Sequence, residues 1–340
     1  MAKSKTRLIA EFMRGVQSDN DNNAVHSEVQ AAANAFTFNG VDITQVFFNN
    51  ASIWLQNLIA MATTGVFYGG FASTTAYNRI TRINSSGVLI GSETNVGTGR
   101  ANLAGAGIGT TGVFYGGIVN PTYYNIVTRI NDSGTLIGSQ TNVGTARHGL
   151  AGAGLGTTGV FYGGTTTISK VITNYNRVTR INDSGTLIGS ETNVGTARYY
   201  VAGAGLGTTG VFYAGYIPNS NTVTRINDSG TLIGSETNVG TARDYVAGAG
   251  LGTTGVFYGG YTVYNIVTRI NDSGTLIGSQ TNVGTGRNNL AGAGLGTTGV
   301  FYGGFSPAYN RITRINASGV LIGSETNVGT ARISLAGVGL

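Results

Sequence analysis

"GLGTTGVFYGG", residues 154–164, returns unchanged at 250–260 and 294–304, with one substitution each at 107–117 and 205–215, and in part at 63–70. The glycine before Val-Phe-Tyr marks each copy: Gly65, Gly112, Gly159, Gly210, Gly255 and Gly299, spaced by 47, 47, 51, 45 and 44 residues. An internal period of this length belongs to propeller blades of four strands each, and it overrides the two or three domains that 340 residues would otherwise suggest.

Each unit holds four strand-like runs. In the second unit they are "LAGAGIG" (103–109), "GVFYGG" (112–117), "NIVTRIN" (125–131) and "TLIGSQTNV" (135–143). "GTTG" joins the first run to the second. "NDSG", at 131–134, 182–185, 227–230 and 271–274, joins the third to the fourth. Asn and Asp close such turns with their side chains, and Gly supplies a positive φ. The first run has side chains too small for the outside of a sheet; they suit an innermost strand, where blades crowd at the axis. The fold class expected is all-β, a β-propeller of four-stranded blades.

Composition agrees. Val, Ile, Thr and Tyr lie between 57 glycines, with only 3 prolines, so neither a collagen nor a Pro-rich linker reading applies. The net charge of +6 is spread singly along the units rather than clustered in a stripe, which argues against nucleic acid as a partner. With no cysteine there is no disulfide framework and no thiolate metal site. The basic N-terminus "MAKSKTRLIAEFMRGV" has its apolar run cut by Glu11, which is too early for a signal peptide. No apolar span of 18 residues occurs, so membrane insertion is not expected.

Catalytic constellations are missing. "GLGTTG" matches the dinucleotide fingerprint at Gly154, Gly156 and Gly159, but a β-rich run follows where that motif needs a helix. His26 and His148 have no acid repeated beside them, and no loop gathers the carboxylates that calcium would need. Glu93, Glu191, Glu236 and Glu325 alternate with Gln140 and Gln280, which a general acid would not tolerate. No cofactor, no metal and no enzymatic activity are expected; a glycan lyase or hydrolase is the remote alternative.

The Gly-Gly doublet with a following tyrosine resembles the kelch repeat. The matching residues are Gly69-Gly70, Gly116-Gly117, Gly163-Gly164, Gly259-Gly260 and Gly303-Gly304, followed by Tyr77, Tyr124, Tyr175, Tyr264 and Tyr309. The fourth unit departs with Ala214-Gly215, and the usual tryptophan before the fourth strand is absent from the six clear units. The resemblance covers residues 35–340 and implies a propeller scaffold without dictating a function. Seven blades are favoured over six. "LIAMA" (58–62) and the C-terminal "ISLAGVGL" (333–340) would make seven first strands, and residues 35–57 would form a degenerate seventh unit. Trp54 then falls where kelch units carry a tryptophan. The C-terminal strand would complete that blade and close the ring. With six blades, residues 1–60 would stand outside it. The domains expected are an N-terminal arm, 1–33, partly helical, and the propeller, 34–340.

Two arginines recur. Arg82, Arg129, Arg180, Arg225, Arg269 and Arg314 sit in "TRIN" and are expected to pair with Glu or Gln of the fourth run. Arg100, Arg147, Arg198, Arg243, Arg287 and Arg332 precede the innermost strand; they either bond carbonyls between blades or form an anion-binding collar at the channel mouth. The units differ after that second Arg and after the Gly-Gly doublet, two segments that a four-stranded meander brings to one face. "GTTG" and "NDSG" lie on the other face and hardly vary. Neutral drift would touch both faces. The variable segments are rich in Tyr and Asn, the composition of surfaces that bind by aromatic contact and adaptable hydrogen bonds. The candidate ligand-binding residues are therefore Phe71, Tyr77, Asn102, Tyr123, Tyr124, His148, Tyr175, Tyr199, Tyr200, Tyr216, Asp244, Tyr245, Tyr261, Tyr264, Asn288, Phe305 and Tyr309.

Near-identical repeats behind a short non-secretory arm resemble the virion appendage proteins of tailed marine phages. That resemblance implies a protein of the phage particle that recognises a host surface glycan or protein through its variable face, with the arm docking onto other virion proteins. The alternative is a structural tail or capsid subunit whose variable face contacts its neighbours.

Overall fold

Along Thr-Gly-Val-Phe-Tyr successive side chains point to opposite faces of a strand, and this alternation builds the core. In the computed structural model the described residues are 62–340, apart from Ser73, Ile217, Pro218, Val263, Ser306 and Pro307, together with Thr37–Phe38 and Val41–Asp42. Val66 and Tyr68 face one neighbouring blade, where they bury Phe114 and Ile130. Phe67 faces the other and packs on Val300 and Tyr302. The same tyrosine-to-phenylalanine contact recurs at every interface, with centroids 5.2–5.4 Å apart, and the last pair, Tyr302 with Phe67, joins the end of the chain to its beginning. Such tilted or edge-on pairs contribute about 0.5–1.5 kcal/mol each beyond the area they bury.

Six antiparallel four-stranded sheets are arranged around an axis. From the inside outward, blade 2 runs Ala104–Ile108, Thr111–Tyr115, Ile126–Asn131 and Thr141–Asn142. Blades 3 to 6 repeat the order, blade 3 with one extra strand, Val171–Asn174, extending a long Thr158–Ile168 hairpin. Blade 1 is composite: its inner strand is Ala336–Gly339, paired with Thr64–Tyr68, so the C-terminal strand closes the ring as expected. Its partner, however, is the first clear unit and not residues 35–57.

The ring holds six blades, not the favoured seven. The reason lies in the inner strands. A Cβ placed on Gly154 would collide with the Gly107 carbonyl oxygen, one on Gly205 with Gly154, and so on through Gly250, Gly294 and Gly339 back to Gly107. Backbones of neighbouring blades therefore touch all the way round, and the cycle is complete at six. Chain contacts divide the molecule into Met1–Ala60 and Met61–Leu340. In the first unit Thr37 pairs with Asp42 and Phe38 with Val41; the expected helices of the arm, Trp54 and Leu58–Met61 lie outside the described residues. The six sheets begin at Thr64; the expected boundary at 34 lies outside the described residues.

The fourth run is shorter than its sequence suggests. Leu136 makes a single bridge to Ile130, the chain then turns at Gly138 (φ 62°), and only Thr141–Asn142 pair as a strand. The "NDSG" turn is closed by its Asn: Asn131 Oδ1 accepts from the Thr135 amide (2.8 Å) and the Ser133 hydroxyl (2.8 Å). Asp132 is exposed, which is why Ser85 and Ala317 replace it without loss. Asn84 and Asn316 still make the corresponding bonds to Val88 and Val320, both at 2.9 Å.

Candidate recognition rim at the axis

The repeated arginine ahead of each inner strand is buried, with no more than 1% of its surface exposed in any of the six copies. Arg147 shows why. Its Nε donates to the Gly163 carbonyl (2.7 Å), its Nη2 to the Thr179 hydroxyl (2.8 Å) and its Nη1 to the Thr145 carbonyl (3.3 Å), while the guanidinium lies 5.4 Å from the Tyr115 ring centre. The other five repeat this lodging between blades over Tyr68, Tyr162, Tyr213, Tyr258 and Tyr302. Of the two roles open to them, the structure places all six between blades. None offers its charge to solvent, so a collar of free guanidinium groups at the channel mouth is not formed.

The carboxylates pair differently from expectation. Glu191 is 3.2 Å from Arg147 and 3.5 Å from Arg177, and Glu93, Glu236 and Glu325 likewise take the buried arginines. Burial raises the pKa of these carboxyls, but threonine hydroxyls and amides, joined by the arginine charge, outweigh it and hold them below the usual carboxylate range. Gln140 does the same bridging uncharged: Oε1 accepts from Thr98 of one blade (2.8 Å) and Nε2 donates to Thr128 of its own (2.5 Å). The "TRIN" arginines instead lay their stems over the turn glycine of the next blade, Arg82 on Gly134 and Arg314 on Gly87.

The two variable positions of each blade are cross-strand partners. The residue after the buried Arg pairs with the residue after the glycine doublet: Ile333 with Phe71, Ala101 with Ile118, His148 with Thr165, Tyr199 with Tyr216, and Asn288 with Phe305. In blade 5 the Tyr261 amide donates to the Asp244 carbonyl (2.9 Å). The next residue is left-handed in every blade: Asn102, Gly149, Tyr200, Tyr245, Asn289 and Ser334, with φ between 52° and 66°. These six stand around the axis and bond from blade to blade. Amides of Asn102, Gly149, Tyr200 and Ser334 donate to the preceding residue of the ring at 2.6–2.8 Å, but the two junctions flanking Tyr245 lack this bond. Beneath them Leu103, Leu150, Val201, Val246, Leu290 and Leu335 form an apolar floor, giving an open cup of about 370 Å³.

Aromatic rings crowd one side of this cup. Tyr123 stacks on His148 (5.4 Å), His148 meets Tyr200 edge-on (6.0 Å), Tyr200 stacks on Tyr245 (3.8 Å, 25°), and Tyr245 leads to Tyr261 (6.2 Å). Tyr199 sits against both Tyr200 (4.7 Å) and Tyr216 (5.3 Å). The arc spans four consecutive blades, with Tyr216 44% and Tyr261 54% exposed at its outer edge. Burial pushes the Tyr199, Tyr200 and Tyr245 hydroxyls above the ordinary phenol value and His148 down to about 4, so these four groups are uncharged near neutral pH. His148 Nδ1 and Asp244 Oδ1 are buried without a hydrogen-bond partner.

The remaining sequence candidates separate from this arc. Tyr77, Tyr124, Tyr175, Tyr264 and Tyr309 bracket the loops: each amide donates to the second glycine of the doublet, and each carbonyl accepts from the amide of the buried Arg. Phe71, Asn102, Asn288 and Phe305 lie on the rim but outside the chain of rings. Gly149, Asn289, Ser334 and the Leu/Val floor are cup residues that the candidate set omits. Their signal was positional, since each follows a variable residue at a fixed offset. Among the described residues no three His, Cys, Asp or Glu side chains are grouped to hold a metal. No protein-family profile and no curated protein matches the chain.

Proposed function

We propose that the propeller is a non-enzymatic recognition module of a phage particle, binding a host surface glycan or protein through the rim, with the N-terminal residues attaching it to other virion proteins. The observation that carries this reading is the aromatic arc from Tyr123 to Tyr261, built from positions that vary between units while the scaffold beneath them repeats. Tyrosine offers a flat apolar face and a polar tip at low rotamer cost, and several copies per particle would add avidity.

The test replaces Tyr199, Tyr200 and Tyr245 together by Ser. Binding of the purified protein to host cells should fall at least tenfold while the fold is retained, whereas Thr157, Thr208 and Thr253 to Ser, on the opposite face, should change nothing. Unchanged binding in the first variant would transfer the rim to the second role, contact with a neighbouring virion subunit.

A further inference from the structure

Nine tyrosine rings of this propeller have an arginine guanidinium 5.2–5.8 Å from their centres. The arc has none: Tyr199, Tyr200, Tyr216, Tyr245 and Tyr261 touch one another and His148, and no cation of the described residues stands over them. The carboxylates divide the same way. Glu93, Glu191, Glu236 and Glu325 each hold an arginine, and the four turn aspartates are exposed to water. Asp244 is 2% exposed and, among the described residues, forms no ion pair and leaves Oδ1 without a partner. It lies within electrostatic reach of Tyr199, Tyr200 and Tyr245. The ring of blade-to-blade bonds also opens here, leaving the carbonyls of Tyr200 and Tyr245 outside it.

A buried acid without a counter-charge is costly, and aromatic faces attract cations most strongly where water is excluded. We infer that the Asp244 quarter of the rim is a site for an organic ammonium group, with the Asp244 carboxylate as its counter-ion and the Tyr199, Tyr200 and Tyr245 rings as its walls. An ammonium on a sugar or on a lysine side chain has the chemistry required. The inference rests on the recognition reading of the rim and says which chemical group the rim selects. Burial raises the Asp244 pKa, so the empty site opposes ionisation and a bound cation restores it.

Calorimetric titration with methyl glucosaminide and with Nα-acetyl-lysine methylamide, each beside its N-acetylated form, tests this. At least one free amine should bind, its acetylated partner at least tenfold more weakly, and Asp244→Asn should lose at least tenfold of that affinity. Which amine binds assigns the source as sugar or protein. Asn keeps the shape of Asp without its charge, so the unliganded variant should melt no lower than the parent near neutral pH. Should Asp244→Asn fail to fold, Tyr199→Leu, in a wall of the site, should lose affinity for the amine while melting normally. Equal binding of free and acetylated forms, no binding of either amine, or full affinity in the variants overturns the inference. If host binding is lost in the triple tyrosine variant yet intact in Asp244→Asn, recognition stands and the ammonium site falls. If both variants bind host cells normally, the recognition reading falls with it.

Discussion

Tyr162 and Tyr200 stand 38 positions apart in the same repeating chain, in consecutive blades. Tyr162 is fully buried, packs on Phe212 at 5.3 Å, has Arg198 over its ring and gives its hydroxyl to the Thr196 carbonyl at 2.5 Å. Its five counterparts in the other blades are tyrosines with the same contacts. Tyr200 has no cation over its ring, meets the variable rings of His148, Tyr199 and Tyr245, and its counterparts are Asn, Gly, Tyr, Asn and Ser. In both regions the backbone conformation repeats from blade to blade; what differs is whether the side chain completes a contact that the next blade depends on. Between blades it does, so one phrase must be copied. On the rim the left-handed backbone lifts the side chain clear of the interface, so each unit can carry a different residue.

The largest effect should come from breaking the repeat where it depends on a strand from the far end of the chain. Deleting residues 333–340 removes the Ala336–Gly339 pairing with Thr64–Tyr68 and both amide bonds into the Leu340 carbonyl. Each lost bond weakens the fold by roughly 1 kcal/mol net, and the exposed edge invites association with other chains. The truncated protein should aggregate or lose its cooperative melt. A stable monomer by size exclusion would contradict closure through this strand.

A single buried arginine comes next. Arg147→Met keeps the stem but strips the Gly163 and Phe161 carbonyls, the Thr179 hydroxyl and the Glu191 carboxylate of a partner. Breaking a buried ion pair from one side costs about 3–5 kcal/mol, which urea unfolding would register. A change below about 1 kcal/mol would mean that the interface relaxes around the loss and that the contrast with the rim is weaker than the geometry implies.

The acid side of stability should also separate the two regions. The folded pKa of Glu93, Glu191, Glu236 and Glu325 is depressed, so their contribution is complete above the unfolded carboxylate value and is lost as pH falls through the folded one. Changing all four to Gln copies what Gln140 and Gln280 already do in blades 2 and 5. The variant should fold, and its melting temperature should decline less than the parent's between about pH 5 and pH 2. A parallel decline would place the acid sensitivity elsewhere.

Much of this was legible in the repeat: four strands per blade, the C-terminal closure, and variation confined to one face. The count of blades was not, because counting "LIAMA" (58–62) beside the C-terminal strand makes seven first strands. The physical criterion is stricter. An inner strand needs glycine at alternate positions, since a Cβ there meets the neighbouring blade's carbonyl, and only six segments satisfy it. For the buried arginines, position alone leaves both roles open, bonding between blades or a collar at the channel mouth, and burial decides for the first. Their presence in all six units, beside residues that change in every unit, was the sign that they face the interior. The split of the tyrosines into arc and bracket depends on which backbone groups they hold, and spacing does not report that.

The smallest expected change in stability is at the rim itself. Tyr200 and Tyr245 occupy left-handed backbone at φ 55° and 53°, where their ring-mates Asn102 and Asn289 sit at 52° and 54°. Asn tolerates this conformation far better than a bulky residue does. Replacing both tyrosines by Asn gives up the stack at 3.8 Å, a contact of about 0.5–1.5 kcal/mol. It also relieves two strained positions that cost on the order of 1 kcal/mol each. The two effects oppose each other, so unfolding free energy should move by less than about 1 kcal/mol in either direction. A loss of several kcal/mol would mean that the arc supports the scaffold after all, and that its tyrosines belong in the same class as Tyr162.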